Sequence, residues 1–410
     1  MVGNTCEGLM YLILFLIGLS PGDMWLQACE SSEWADEYNY QLQAQYSDIS
    51  YSGLLPDPIL QFSFAGAPIE TRNGSVTSSL GIQQKIPWPS LLTASQNEAE
   101  AAYVLVEELT NSLLLSKRTE IAVAWAEVYR HQQRIRILEQ KATFLASLLA
   151  SVSDYSTLPG IEQSVLIDLR IKTELAIQQP VSEERLLEVS TLELATQTGI
   201  PMNCELSIPE NEWFIETALN KSVNSPELQL AFASLQRTKA ELARVNASTF
   251  PDFLLGVSYS FIDEPEMLTG AIEPGKDSWM VSLGMNLPIG YSGDNYRIQK
   301  AKFQVMQAEA HYIQLELEVE AELLHQEALL LNTYDELQIL NRMLPLSKSS
   351  LQAASASWVA GRGSYSTLTT VLQNNLDLEL EIVEKEALLV GSTAKWLELA
   401  GAVTNEGDFL

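Results

Sequence analysis

Phe253-Leu254-Leu255-Gly256-Val257-Ser258-Tyr259-Ser260-Phe261 is the stretch on which the fold turns. Side chains of a strand point alternately to its two faces, so Phe253, Leu255, Val257, Tyr259 and Phe261 share one face. Gly256, Ser258 and Ser260 share the other. Trp279, Val281, Leu283, Met285 and Leu287 repeat the alternation against Ser282, Gly284 and Asn286. An earlier pair does the same. Leu60, Phe62 and Phe64 alternate with Gln61 and Ser63, and Val76, Leu80, Ile82 and Ile86 with Thr77, Ser79, Gln83 and Lys85. Ser78 and Gln84 interrupt that second apolar face.

Two readings fit such hairpins: a half-buried ribbon on a soluble core, or strands of a transmembrane β-barrel with lipid on one side and water on the other. Strand length and the aromatic residues near the strand ends favour the barrel. Four strands cannot stand alone in hydrocarbon, because the two outer edges would leave backbone groups unpaired. Other copies of the chain must then complete the ring. Two copies give eight strands filled by side chains, and three give twelve around a lumen that holds water.

Around the strands the chain repeats itself. Leu55-Pro56-Asp57-Pro58 recurs as Phe250-Pro251-Asp252-Phe253, and Gln84-Lys85-Ile86-Pro87 as Asn286-Leu287-Pro288. Each copy continues into a long helical stretch, a break near Gly160 or Gly361, a second helical stretch, and a closing glycine, Gly199 or Gly401. Ser90 to Ser153 holds neither Pro nor Gly. Its apolar positions step by three and four through Ile121, Trp125, Val128, Ile135, Leu138, Ala142, Leu145 and Leu149. A second stripe runs through Leu376, Leu380, Val383, Ala387, Val390, Ala394 and Leu397, and Pro345 marks a kink or an end of the helix before it. Helices of this length lie side by side as extended hairpins. A plain coiled-coil protein would explain the helices but not the strands between them.

Composition narrows the function. With 24 basic against 53 acidic residues the formal charge is −29, which opposes nucleic-acid binding. At 46% hydrophobic and 19% charged the chain is too apolar for disorder. Three cysteines, Cys6, Cys29 and Cys204, make neither a disulfide framework nor a zinc cluster. Three histidines restrict acid/base chemistry further, and no nucleophile set, phosphate loop or metal motif occurs. We expect no catalytic residues, metal or cofactor, and no enzyme. His325-Gln326-Glu327 reads as a solvated helix face. The run Glu316, Glu318, Glu320, Glu322 and Glu327 does too, unless it lines a tunnel, where it would favour cations. Asn73-Gly74-Ser75 reads as a hairpin turn.

Residues Leu9 to Leu19 form an apolar run suited to a secretory signal and too short for a transmembrane helix. Leu26-Gln27-Ala28-Cys29 resembles a lipoprotein box, which would make Cys29 a lipidation site; an ordinary thiol is the competing reading.

The order of elements, together with Leu55-Pro56-Asp57-Pro58, Pro68-Ile69-Glu70-Thr71-Arg72, Gln83-Gln84-Lys85-Ile86-Pro87-Trp88 and Leu376-Asp377-Leu378-Glu379-Leu380-Glu381, resembles the TolC-like outer-membrane efflux protein family, in its heavy-metal-efflux-type branch. The resemblance implies a mostly α fold with a transmembrane β part: two repeats of helix, β-hairpin and long helices. A homotrimer would form a 12-stranded barrel and an α-helical periplasmic tunnel. It implies an exit duct in the Gram-negative outer membrane, surrounded by lipid and docked to a periplasmic adaptor and an inner-membrane pump. A non-conducting periplasmic coiled-coil adaptor or tether is the alternative. The expected layout is a leader at 1–29, a short helical segment at 30–54, a first transmembrane hairpin at 55–89 and a first helical hairpin at 90–200. An equatorial linker and helix at 201–249, a second transmembrane hairpin at 250–290, a second helical hairpin at 291–402 and a tail at 403–410 complete it. Lipid-facing residues would be Phe62, Phe64, Phe253, Leu255, Val257, Tyr259, Phe261, Trp279, Val281, Leu283 and Met285. Gate and adaptor docking would lie at Pro159, Gly160, Gly361, Gly363, Ser364, Thr367 and Thr370, where both helical hairpins turn. Thr367 and Thr370 stand where the family usually carries aspartates.

Overall fold

The computed structural model describes residues 20–71, 73–153, 163–199, 224–264, 275–286 and 291–401. The elements are helices α1 (Pro21–Ser31) and α2 (Glu33–Ser52), strands β1 (Ile59–Thr71) and β2 (Gly74–Ile86), and helices α3 (Pro89–Ser153), α4 (Gln163–Thr198) and α5 (Pro226–Ala247). Strands β3 (Asp252–Asp263) and β4 (Ser278–Asn286) follow, then helices α6 (Tyr291–Val359) and α7 (Tyr365–Ala400). From the helix before each hairpin onward, the described elements of the two halves match one for one. Helix α3 has 65 residues against 69 in α6, and α4 and α7 have 36 each. Gly199 and Gly401 close those two helices with φ of 71° and 62°, the left-handed conformation that glycine reaches without a Cβ clash. At Gly401 a Cβ would stand 1.9 Å from the carbonyl oxygen of Asn224.

Helix α3 carries no glycine, α6 carries Gly293 in its first turn only, and α6 runs through Pro345 to Val359. Of the two outcomes open for Pro345 in the sequence, the end of the helix is the one not taken. Proline costs one backbone hydrogen bond, which packing on either side can absorb in so long a helix.

Contacts divide the chain into two units. One holds Met1–Tyr38, Thr110–Leu228 and Glu316–Leu410. Its core is built from the apolar stripes of α3, α4, α6 and α7: Ile121, Trp125, Leu194, Leu330, Leu337, Leu389 and Val390 are fully buried. The rings of Trp125 and Tyr129 stack at 5.5 Å. Helix α1 adds Met24 and Ala28, one turn apart and sealed in the same cluster, although this segment falls in the stretch read as a leader. A second cluster joins Leu145 and Leu148 of α3, Leu169 and Ala176 of α4, and Leu368 of α7.

The other unit, Asn39–Leu109 with Gln229–Leu315, contains the sheet. Its strands are antiparallel in the order β1-β2-β3-β4, so the hairpins pair with each other through β2 and β3. Thr71 pairs with Gly74, so β2 begins at Gly74, and of the expected turn Asn73-Gly74-Ser75 only Asn73 lies outside the strands. Gly74 has φ 132°, and a Cβ there would reach 1.8 Å from the carbonyl oxygen of Asp263.

Candidate functional site: an apolar sheet face and a helical tip

Residues opposite one another in an antiparallel sheet point to the same side, so the register fixes the faces. Five rows result, two residues apart. They are Phe64, Ser78 and Phe261; Phe62, Leu80, Tyr259 and Trp279; Leu60, Ile82, Val257 and Val281; Gln84, Leu255 and Leu283; and Ile86, Phe253 and Met285. All eleven strand residues named from the sequence lie on this one face. Ten of them are exposed, up to 75% for Phe64 and 77% for Leu283. Phe253 is half-buried because its ring stacks on Trp88 at 5.7 Å, and Phe250 stacks on the same indole at 5.9 Å. Aromatic residues therefore gather at both ends of the face and aliphatic ones between them.

Gln84 interrupts the face but does not present a bare amide. Its Nε2 donates to the carbonyl oxygens of Pro56 at 2.6 Å and Lys85 at 2.9 Å, so its polarity is spent on the backbone. Val76 departs from the alternation. The register slips between Val76 and Ser78, placing Val76 opposite Ile262 instead of a residue of the apolar rows. A bulge of this kind shifts parity by one residue, which periodicity alone does not reveal.

The reverse face is mostly small and polar, with Ile59, Leu254 and Met280 as its apolar exceptions. The hydroxyls of Ser63 and Ser79 meet at 2.7 Å, Lys85 pairs with Asp252 at 2.7 Å, and Gly81, Gly256 and Gly284 thin the surface. A Cβ on Gly256 would lie 2.5 Å from the Ser282 hydroxyl. At the turn end Asp277 accepts from the Tyr259 hydroxyl and from the backbone N–H of Ile262, at 2.8 and 2.9 Å.

In the helical unit, Gly361 to Ser364 turn α6 into α7. Gly361 has φ 73°, and the N–H groups of Arg362 and Gly363 both reach the Ser357 carbonyl oxygen, at 3.0 and 2.9 Å. Ser364 is the N-cap of α7: its Oγ accepts from the Thr367 N–H at 3.0 Å. Thr367 and Thr370 are exposed. Pro159 and Gly160 lie outside the described residues. The structure adds three residues that the sequence reading missed. The Tyr365 hydroxyl donates to Asp168 at 2.7 Å, and Lys172 reaches the same carboxylate at 3.0 Å. Its ammonium also sits 5.3 Å from the Tyr365 ring centroid. The hydrogen bond from Tyr365, then Lys172, hold the Asp168 carboxyl below its usual range. Asp168 and Lys172 stand one helical turn apart in the sequence, but nothing in one-dimensional spacing links them to Tyr365.

A layer of charge crosses the same unit. Glu183 of α4 accepts from His131 Nδ1 at 2.8 Å and from Arg134 Nε at 2.7 Å. Arg134 also donates to Glu384 of α7 at 2.8 Å, and Arg130 joins Glu384 to Glu127. Burial opposes ionisation of Glu183, but His131 and Arg134 outweigh it and its pKa falls. Burial raises that of Glu386, against the hydrogen bond from Tyr129. Cys29 lies half-buried within α1, next to sealed Ala28. No group of three or more possible metal ligands occurs among the described residues, and no helix there is long and apolar enough to cross a membrane.

Comparison with known proteins agrees with this geometry. The outer membrane efflux protein family model matches residues 220–394. No curated protein sequence matches the chain. Among solved structures, CusC, from a study of the conformational changes that accompany folding and transmembrane channel formation, shares 14% identity. It superposes with a TM-score of 0.75 over 95% of this chain and 94% of its own. The outer membrane protein VceC of Vibrio cholerae gives 11% identity and a TM-score of 0.74, over 93% of this chain and 96% of its own. The open-state outer membrane channel MtrE of Neisseria gonorrhoeae gives 15% and 0.72, over 93% and 88%. The chain thus has the TolC-like fold over nearly its whole length and, in residues 220–394, the sequence character of the outer membrane efflux protein family.

Proposed function

We propose that this chain is the passive exit duct of a tripartite efflux system in the outer membrane of a Gram-negative bacterium. Three copies build it, and it works with a periplasmic adaptor and an inner-membrane pump that supplies the energy. The observation that carries the reading is the sheet: an exposed, mainly apolar face over four strands, backed by a mostly small and polar face and ended by two open edges. Five rows spaced by two residues span about 27 Å along the strands at ~3.4 Å per residue. Tilted by roughly 40°, that becomes about 20 Å, near the apolar band of an outer-membrane barrel. So large an exposed apolar patch needs lipid or protein to cover it. The aromatic ends match the girdles at the two membrane interfaces.

The helices support assembly from copies. On α6, Tyr296, Phe303, Leu317 and Leu324 fall in one heptad phase, and each is more than 60% exposed. A stripe with this period seeks partner helices. Glu316, Glu318, Glu320 and Glu322 are exposed on the same helix and would make a lumen negative, favouring cations. Metal ions, the cargo of the heavy-metal-type branch that the motifs resemble, suit that potential. The turn at Gly361–Ser364 with Thr367 and Thr370 serves as gate and docking tip, held by Tyr365, Asp168 and Lys172.

The test is conduction. Purified protein added to planar bilayers should give stepwise ionic current. A monomer that stays soluble without detergent and passes no current overturns the duct and favours the tether.

A further inference from the structure

The inference concerns a cleft in the helical unit and needs that unit alone, not the duct reading. Between α3, α4 and α7 lies an open cleft of about 410 Å³, inside the range of ordinary small-ligand sites, about 300 to 1,000 Å³. Each helix lends it one face at a spacing of four residues: Lys141 and Leu145 of α3, Lys172 and Ala176 of α4, Thr369 and Gln373 of α7. Its floor is apolar and fixed. Leu145 and Ala176 are sealed in one cluster with Leu368, and Leu372 packs against them.

The charge of the cleft is opposite to that of the chain. Acidic residues outnumber basic ones by 53 to 24, yet two ammonium groups and no carboxylate line this space. Lys141 donates to the neutral amide oxygen of Gln179 at 3.1 Å. Burial disfavours its charge more than the attraction of Asp377 favours it, so its pKa falls. An anion beside it would restore what water no longer supplies. Lys172 meets Asp168, one turn away, at 3.0 Å, with the two side chains 43% and 47% exposed. An exposed pair of this kind is weak, so the ammonium is able to turn to a better anion. Leu175 also lines the cleft and stays 60% exposed, an apolar wall that a simple inorganic ion would leave wet.

We propose that this cleft binds a small organic anion with an apolar body, of which an aromatic carboxylate is the simplest case. Lys141 and Lys172 hold the anionic head, and Leu175 and Leu372 cover the ring. Because Lys172 also serves Asp168, the ligand and Asp168 compete for one ammonium group. The occupied cleft joins α3 and α4 of the first helical hairpin to α7 of the second, and draws Lys172 away from the carboxylate that accepts from Tyr365.

Isothermal titration calorimetry of the detergent-purified full chain with cinnamate, at low salt, tests the site. Cinnamamide, the neutral counterpart of the same shape, controls for partition into micelles. We expect saturable binding of the carboxylate and none of the amide. Lys141→Met and Lys172→Met should each weaken binding about tenfold, the loss of one hydrogen bond between charged groups, and Lys141→Arg and Lys172→Arg should retain most of it. Asp168→Asn keeps an oxygen for the Tyr365 hydroxyl but releases Lys172, and should tighten binding a few-fold. If Lys141→Met fails to fold, Lys172→Met and Asp168→Asn carry the test. No binding of cinnamate, equal affinity for the amide, or affinity unmoved in the methionine variants overturns the site. Affinity unchanged in Asp168→Asn overturns the competition. None of these readouts uses current or assembly, so absence of binding leaves the duct standing and absence of conduction leaves the cleft standing.

Discussion

Tyr365 in the first turn of α7 donates its hydroxyl hydrogen to Asp168 of α4 across 2.7 Å, tying the end of one helical hairpin to the other. Lys172 shares that carboxylate and lies over the tyrosine ring. If the tip is the gate, this bond opposes its opening. Tyr365→Phe keeps the ring and its contact with Trp358 but removes the donor. We expect the variant to open more often in planar bilayers, raising mean current a few-fold. Unchanged current would remove Tyr365 from the gate.

Leu283 and Gln83 test the two faces of the sheet. Leu283→Arg places a charge in the apolar band, at a cost of about 2 to 4 kcal/mol near the midplane, and should abolish assembled protein in the outer-membrane fraction. Gln83→Arg, on the polar face, should assemble. Normal assembly of Leu283→Arg would show that the facing is inverted.

Glu183 and Glu386 should respond to pH with opposite signs. The folded pKa of Glu183 is depressed, so its contribution is present above the ordinary glutamate range, near 4.3, and is lost as pH falls through and below it. Glu183→Gln should lower the thermal midpoint at neutral pH and converge with the parent in acid. The folded pKa of Glu386 is raised, so ionising it costs stability as pH rises. Glu386→Gln should raise the midpoint at neutral pH and again converge in acid. Thermal melts of detergent-solubilised protein from pH 3 to 8 read both; parallel offsets at all pH values would refute the assignment.

Trp125 is fully buried and stacked on Tyr129. Trp125→Ala should cost about 3 to 5 kcal/mol, seen as loss of the folded helical unit in limited proteolysis. Trp125→Phe should retain most of it.

Cys29 follows Ala28, which with Met24 fills the core. Acylation at Cys29 requires a cut before it, and that cut would take both core residues away. We expect the intact mass of the purified protein to include Met24 and Ala28 and to carry no lipid on Cys29. A mass beginning at an acylated Cys29 would mean that the core closes without α1.

The strands were legible because alternation is local. Leu255, Val257, Trp279 and Leu283 announce their face within a window of ten residues, and the structure keeps it. Helix pairing was legible for a similar reason, since Ile121, Trp125 and Val128 share a stripe whichever helix covers it. What stayed hidden depends on geometry between distant segments. His131, Arg134, Glu183 and Glu384 look like ordinary helix-surface charges until three helices bring them together. Asp168 and Tyr365 are separated by most of the second repeat. Val76 was misplaced because a bulge leaves no periodic trace, and the burial of Met24 left no signal beside the apolar run upstream.

If the chain assembles from copies as proposed, the open edges of β1 and β4 also bear on the life of a single copy before it meets its sisters. Its helical unit buries its own core from the outset, whereas the sheet shows grease and bare backbone to water until neighbours arrive. Such a ribbon invites indiscriminate stacking with any extended strand nearby. On the proposed reading, biogenesis depends on concentration and on escort: a secreted copy needs a holding chaperone in transit, and dilution should favour tangles over rings.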